Sequence, residues 1–301
     1  MTETLNIIVT GSSGFIGSSI VDKLALKHEV TGIDRVEKNK NEYYEFIKGD
    51  ISKTNTFLKV HKKPDYIFDF GSPSSMRIFD KNPAQVTSDT VRGIVNILEF
   101  CKNNGVTKLI YPSSGTVYGD SIGSDKKKLE PINHYASVKA FYEMISLSYL
   151  RYFKSTGLRI FMGYGPGEES KGEIGSPVYL FMKEILNNKR PVIWGDGSQQ
   201  RDLVYIDDIT DTAINLINDK NTDTFDIVTG DSLNFIQVLK IIGEVTNTNV
   251  QPVFVSRPTG YQTVTKSDPT TFIRILGRKP LPPSLGIKKL YDHLIGHSTE
   301  Q

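Results

Sequence analysis

Two groups of residues have the types and spacing for chemistry. The first is Thr10-Gly11-Ser12-Ser13-Gly14-Phe15-Ile16-Gly17, whose glycines recur at every third position. Such a turn lets backbone approach a pyrophosphate closely, with the N–H groups and dipole of the following helix facing the phosphates. Asp34 stands 23 residues after Gly11, at the end of a second apolar run. A carboxylate there accepts hydrogen bonds from ribose hydroxyls and repels a 2′-phosphate, which favours NAD over NADP. The adjacent Arg35 works mildly against that preference. Asp50-Ile51 follows a third short apolar run and suits either an adenine edge and face or a helix N-cap.

The second group is Tyr135-Ala-Ser-Val-Lys139, which puts a phenol and an ammonium on one helix face. A nearby ammonium favours the phenolate and lowers the tyrosine towards a useful general base. The spacing alone says little, because Tyr44/Lys48 and Tyr179/Lys183 share it. Position separates Tyr135 from these. It follows the run Tyr111-Pro112-Ser113-Ser114-Gly115-Thr116-Val117-Tyr118-Gly119. At the C-terminal end of a parallel strand, Ser114 would bond the substrate hydroxyl that Tyr135 deprotonates.

The elements that must position these side chains alternate. Strands are predicted at Leu5–Thr10, Glu29–Ile33, Phe46–Lys48, Tyr66–Phe70, Thr107–Tyr111 and Leu158–Phe161. Helices are predicted at Gly14–Leu26, Pro83–Asn103 and Tyr135–Phe153, with Asn82 capping the second and Pro83 opening it. After Gly163 come a Gly/Pro-rich stretch, helix Val178–Asn187, strand Pro191–Trp194 and a loop, GDGSQQRD. Helix Asp207–Asn218, strand Phe225–Val228, helix Phe235–Val245 and a Pro-rich tail with a short helix, Lys288–Leu294, complete the pattern. This predicts an α/β chain, a Rossmann-type doubly wound parallel sheet with a smaller, partly discontinuous C-terminal substrate lobe. Residues 1–165, completed by about 191–245, form the expected NAD-binding domain; 166–190 and 246–301 form the lobe.

The 301 residues carry 36 Lys and Arg against 34 Asp and Glu, a balance without the footprint of a nucleic-acid or anionic-membrane partner. No run of about 18 apolar residues predicts a membrane span, and the N-terminus lacks a signal-peptide pattern. One cysteine, Cys101, forms no internal disulfide and, with five scattered histidines, makes structural zinc unexpected. A soluble cytoplasmic protein is the expectation. Cys101, Trp194, Met144 and Met182 read as packing residues.

Taken together, the chain resembles the extended short-chain dehydrogenase/reductases, in particular the NAD-dependent sugar-nucleotide epimerase/dehydratase family. The resemblance rests on TGSSGFIG, Asp34, GDI at 49–51, SSGTVYG at 113–119, YASVK at 135–139, YGPGEE at 164–169 and WGDGSQQRDLVYIDDI at 194–209. It implies NAD contacts at the glycine turn, Asp34, Arg35, Asp50 and Ile51, and further ones at Phe70, Gly71, Ser72, Thr90 and Phe161. Lys139 would bond the nicotinamide ribose. A nucleotide-diphosphate sugar would be held by Ser74, Ser114, Thr116, Tyr135 and Met162, with Arg201 on its diphosphate. Lys171 would face the same substrate or solvent. A homodimer through helices near 83–104 and 133–155 is implied, although Ile94, Val95, Ile97, Leu98, Phe141 and Ile145 fit packing on the sheet equally.

Dehydratases of this family follow the serine with Asp-Glu, and decarboxylases carry glutamate at the position of Thr116; here Gly115 and Thr116 stand instead. The resemblance therefore implies a nucleotide-sugar 4-epimerase of the UDP-glucose, galactose or glucuronate type, working by transient C4 oxidation with Ser114, Tyr135 and Lys139. Dehydratase, decarboxylase or 4-keto reductase chemistry, a dehydrogenase acting on a small carbonyl substrate, and a non-catalytic NAD-binding regulator are the alternatives. Met162 replaces the family's asparagine and removes a donor. Thr90 and Ile94 replace its usual Asn and Thr, and Phe70-Gly71-Ser72-Pro73-Ser74-Ser75 differs from its His-Ala-Ala type loop.

Overall fold

Alternation along the strands decides how the chain layers. In β1 (Asn6–Thr10), Ile7 and Val9 face one hydrophobic cluster and Ile8 the other, so both faces are buried. A central parallel strand covered by helices has this pattern. The computed structural model describes residues 3–38, 43–119, 128–220, 222–257 and 262–298. Beside β1 lie β2 (Glu29–Asp34), β3 (Glu45–Lys48), β4 (Tyr66–Asp69), β5 (Lys108–Ser114) and β6 (Lys154–Ile160). With β10 (Phe225–Ile227) they form a seven-stranded sheet in the order β10-β6-β5-β4-β1-β2-β3, every pair parallel. The strand order reverses at β1, between β2 and β4. Crevices at such a switch point, beyond the strands' C-terminal ends, are where ligands bind in this architecture.

One face carries α1 (Phe15–Leu24), α6 (Ile206–Asn215) and α8 (Thr270–Leu276) over Ile20, Leu24, Ile209 and Phe272. The other carries α3 (Pro83–Asn104) and α4 (His134–Leu147), burying Ile94, Ile97, Leu98, Val138 and Tyr142. Asn82 caps α3 through Gln85 N–H at 3.3 Å, with Pro83 in its first turn. A short α2 (Met76–Lys81) buries Phe79 in the same cluster as α3 and α4.

A second core joins α5 (Pro177–Leu186), α7 (Phe235–Thr246) and α9 (Pro283–Ser298) around Tyr164, Met182, Ile193, Phe235 and Leu290. Two small sheets edge it: β7 (Met162–Tyr164), β9 (Gln200–Tyr205) and β11 (Ser232–Asn234) in one, β8 (Val192–Trp194) and β12 (Val253–Val255) in the other.

Several elements differ from the sequence-based expectation. The end of GDGSQQRD is strand, not loop: Gln200–Asp202 pair with Ser232–Asn234. The helix expected to Phe153 stops at Leu147 and continues as turns. β6 begins at Lys154, earlier than expected, because Gly157 and polar neighbours mask its alternation. A Cβ on Gly157 would stand 2.7 Å from Thr224 Oγ1 and 2.9 Å from Tyr111 Cζ, so the bare glycine leaves room for the Tyr111 ring on the neighbouring strand. Neither α2 nor α8 was anticipated, and α9 is longer than the stretch read. Met182 and Cys101 are core as expected, whereas Met144 is 65% exposed because α4 turns Ala136, Val138, Ala140 and Tyr142 inward instead.

Candidate active site

The glycine turn leaves β1 with Gly11 at φ +65°, a left-handed conformation that favours glycine. Its α-carbon faces the next strand end so closely that a Cβ would lie 2.3 Å from the Phe70 carbonyl oxygen. A Cβ on Gly17 would lie 2.1 Å from the Gly11 carbonyl oxygen, which is how α1 starts tight against the turn. Gly14 caps α1 without any side-chain bond, and the first turn holds no acidic residue. Those amide protons are thus directed into a cleft of about 860 Å³.

Every residue expected at a dinucleotide lines this cleft: the turn, Asp34, Arg35, Asp50, Ile51, Phe70 to Ser72, Thr90, Tyr135, Lys139 and Phe161. Asp34 accepts the amides of Ser13 at 3.1 Å and Arg35 at 2.6 Å, which holds its carboxylate at the cleft edge. Asp50 turns one oxygen to Ser52 N–H at 2.9 Å, a local turn and not a helix cap, since the next helical turn begins at Thr54 behind Lys53 without a side-chain cap; Asp50 also lines the cleft. Ser72 Oγ finds no protein partner among the described residues. A helix N-terminus without a side-chain cap, a glycine cradle and an orphaned hydroxyl fit a dinucleotide bound across the switch point.

A second cleft of about 510 Å³ adjoins the first and shares Ser74, Tyr135, Phe161 and Met162 with it. Tyr135 stands on this common border, with Lys139 on the first side and Ser114 with Thr116 on the second. Ser114 Oγ accepts from Thr116 N–H at 3.2 Å and from Thr116 Oγ1 at 3.0 Å. With both lone pairs engaged, the Ser114 hydroxyl has only its proton left to offer, and a hydrogen bond from it favours the Tyr135 phenolate.

Burial raises the Tyr135 phenol and the Ser114 bond pulls the other way. The lowering expected from Lys139 is not found: its Nζ donates to the Pro112 carbonyl at 2.9 Å and lies 5.8 Å from the centre of the Tyr135 ring. Burial also lowers Lys139 to about 8, opposed by the charge of Asp69.

Behind these groups, Arg159 forks onto Glu143 of α4 at 2.9 and 2.6 Å. Ser113 donates to the same carboxylate, tying the end of β5 to the helix that carries Tyr135. The rival Tyr/Lys matches lack such a setting. Tyr179 is buried in the second core, and Tyr44/Lys48 spans a turn and a strand.

The second cleft runs on past Arg77, Leu180, Trp194, Phe235 and Arg201. Arg201 donates to the carbonyls of Gln200 at 2.8 Å and Gln262 at 2.7 Å, and its guanidinium lies 5.8 Å from the Phe235 ring centre. It does not pair with Asp202, which accepts from Thr229 and Gly230 instead. Lys171 is not in this cleft. It lines the first one, 4.0 Å from the Phe15 ring centre, paired with the buried Glu168 at 3.2 Å.

The profile of the NAD dependent epimerase/dehydratase family matches residues 7–228. The chain belongs to that family. A UDP-glucose 4-epimerase of Mycolicibacterium smegmatis is 32% identical over 228 residues, 70% of this chain and 72% of that protein. The structure of a UDP-glucose 4-epimerase from Thermotoga maritima with UDP-glucose superposes with a TM-score of 0.91 at 27% identity, covering 99% of this chain and 100% of the other. A UDP-N-acetylglucosamine 4-epimerase from Methanobrevibacter ruminantium M1, in complex with UDP-N-acetylmuramic acid, gives 0.90 at 25% identity, covering 98% and 100%. As a member of the NAD dependent epimerase/dehydratase family, the chain is an NAD-dependent enzyme of nucleotide-sugar chemistry.

The sequence reading missed Arg77 and gave Trp194 to packing. In the fold the Arg77 guanidinium stacks 4.4 Å from the Trp194 ring centre, and both line the second cleft. The lone tryptophan beside a glycine loop was the available signal. Asp69 and Glu143 left none, because their partners are distant in the chain.

Proposed function

We propose that the enzyme is a nucleotide-sugar 4-epimerase acting by transient oxidation at C4. The observation that carries this is the placement of Tyr135 on the border of two clefts, with Lys139 on one side and Ser114 on the other, and Gly115-Thr116 where family dehydratases carry acid residues. When bound, NAD supplies the acceptor and then the donor of hydride at the sugar C4. The turn from Gly11 to Gly17 and Asp34 would hold its pyrophosphate and ribose. Tyr135 Oη takes the C4 hydroxyl proton and later returns it. Ser114 bonds the same sugar oxygen, with Thr116 fixing the direction of its proton. The Lys139 ammonium would hold the nicotinamide ribose. Arg201 would pair with the diphosphate. Met162, on the border, offers that sugar no hydrogen-bond donor.

We further infer a homodimer through α4. Met144 and Leu147 are each 65% exposed there, whereas Ile94, Ile97 and Leu98 of α3 are spent on the sheet. A reducing cytoplasmic setting suits the single buried thiol of Cys101.

The test is proton NMR of UDP-glucose, UDP-galactose, UDP-glucuronate and UDP-N-acetylglucosamine, each incubated with the protein and catalytic NAD. A C4 epimer reaching equilibrium without net NADH is the expected outcome. Tyr135→Phe should slow it by roughly 10²–10⁴-fold. A 4-keto-6-deoxy sugar, released CO₂ or accumulating NADH would assign a different reaction.

A further inference from the structure

Asp69 ends β4 directly behind the reacting helix and is fully buried. Both of its oxygens are engaged: Oδ1 by the Thr10 hydroxyl at 2.5 Å and Oδ2 by the Tyr142 hydroxyl at 2.7 Å. Thr10 is the last residue before the glycine turn, and its Oγ1 accepts in turn from Gly71 N–H at 3.0 Å. Tyr142 lies one turn beyond Lys139 on α4, its ring stacked 4.1 Å from that of Tyr111. One carboxylate thus joins the nucleotide turn, the loop after β4 and the catalytic helix.

Its donors are neutral, and no lysine or arginine lies within 4.0 Å of it among the described residues. A carboxylate taken from water without such a partner is costly unless a cation compensates at longer range. The titratable groups around Asp69 are Cys101 from α3 and Lys139 and Tyr142 from α4, with Tyr111 of β5 stacked on Tyr142. Burial pushes the Cys101 thiol and the Tyr142 phenol up and Tyr111 to about 12, so none of these is an anion at neutral pH. Glu143, further along α4, is matched by Arg159 at 2.6 Å. The charge left to meet Asp69 is the ammonium of Lys139, whose Nζ sits on the Pro112 carbonyl of β5, the strand that runs beside β4, and the attraction between the two acts against the burial of that ammonium.

We propose that Asp69 is a positioning residue for the Tyr135–Lys139 pair: it ties the nucleotide turn to the catalytic helix through Thr10 and Tyr142, and it supplies the fixed negative charge facing the Lys139 ammonium. The inference rests on the reading of Lys139 as part of the reacting set, but its test does not require turnover.

The full chain, labelled with ¹³C-lysine and incubated with NAD, is titrated by NMR, with the ε-carbon signal of Lys139 assigned by its loss in Lys139→Met. Asp69→Asn keeps the shape and removes the charge, so the Lys139 midpoint should fall by about 1–2 pH units. Tyr142→Phe keeps the charge and removes one hydrogen bond, so the midpoint should stay within about 0.3 unit. An unmoved midpoint in Asp69→Asn, or a fall in Tyr142→Phe, overturns the proposal. If Asp69→Asn does not fold, Asp69→Ser removes the same charge with a smaller side chain, and the same fall of the Lys139 midpoint is expected of it; an unmoved midpoint there overturns the proposal equally. An NMR panel without epimer would refute the 4-epimerase reading and leave this titration intact.

Discussion

At the scale of single residues, the reacting set is governed by burial more than by the spacing of its members. The proposed mechanism uses Lys139 as an ammonium, and burial lowers it to about 8. The active form is therefore present below that pH and is lost as pH rises through it. A profile of kcat/KM should fall on its alkaline side with a midpoint near 8. A flat profile across that range would place the essential cation elsewhere. Met162 is the second residue-scale point, because it stands at the border of both clefts without a donor. Met162→Asn offers one new hydrogen bond to the substrate, worth about 0.5–1.5 kcal/mol. The KM for the nucleotide sugar should fall by roughly 2–12-fold, the same energy read as an affinity.

At the scale of elements, the nucleotide turn works because three backbone segments meet without side chains between them. Gly11→Ala places a methyl group 2.3 Å from the Phe70 carbonyl oxygen and asks alanine to adopt φ +65°. The left-handed backbone alone costs roughly 1–2 kcal/mol. The turn and the end of β4 must also separate. Calorimetric titration with NAD should show affinity reduced at least about tenfold, equivalent to 1.4 kcal/mol. Unchanged affinity would mean that the turn does not hold the pyrophosphate. The same reasoning explains why Lys171 stands in the cofactor cleft. The segment 168–174 is pinned by buried Glu168, which accepts from Gly165 and Ser176, and so folds over Phe15 at the start of α1.

At the scale of the whole molecule, the exposed apolar side chains of α4 argue for a partner copy. Met144→Asp combined with Leu147→Asp should convert a sedimenting dimer to a monomer while Tyr142 and Val138 keep the helix docked on the sheet. A wild-type monomer at the same concentrations would remove the dimer reading.

The first half of the fold was legible because its signals are local. β-branched runs mark β1 and β2, Asn82-Pro83 marks the start of α3, and the glycine spacing with Asp34 marks the cofactor cleft. The Ser114, Tyr135 and Lys139 set was legible from order along the chain together with family resemblance. What sequence alone determined is therefore the layered sheet and the nucleotide turn, and it singled out the candidate reacting groups. Tertiary structure alone decided where Lys171 lies, that Arg77 stacks on Trp194, that Gln200–Asp202 form a strand, and that Asp69 meets Thr10 and Tyr142. The physical reason is common to all four. Each depends on a partner brought close only when the second core docks or the sheet closes, and neither a periodicity of 2 nor one of 3.6 carries information about such distant neighbours.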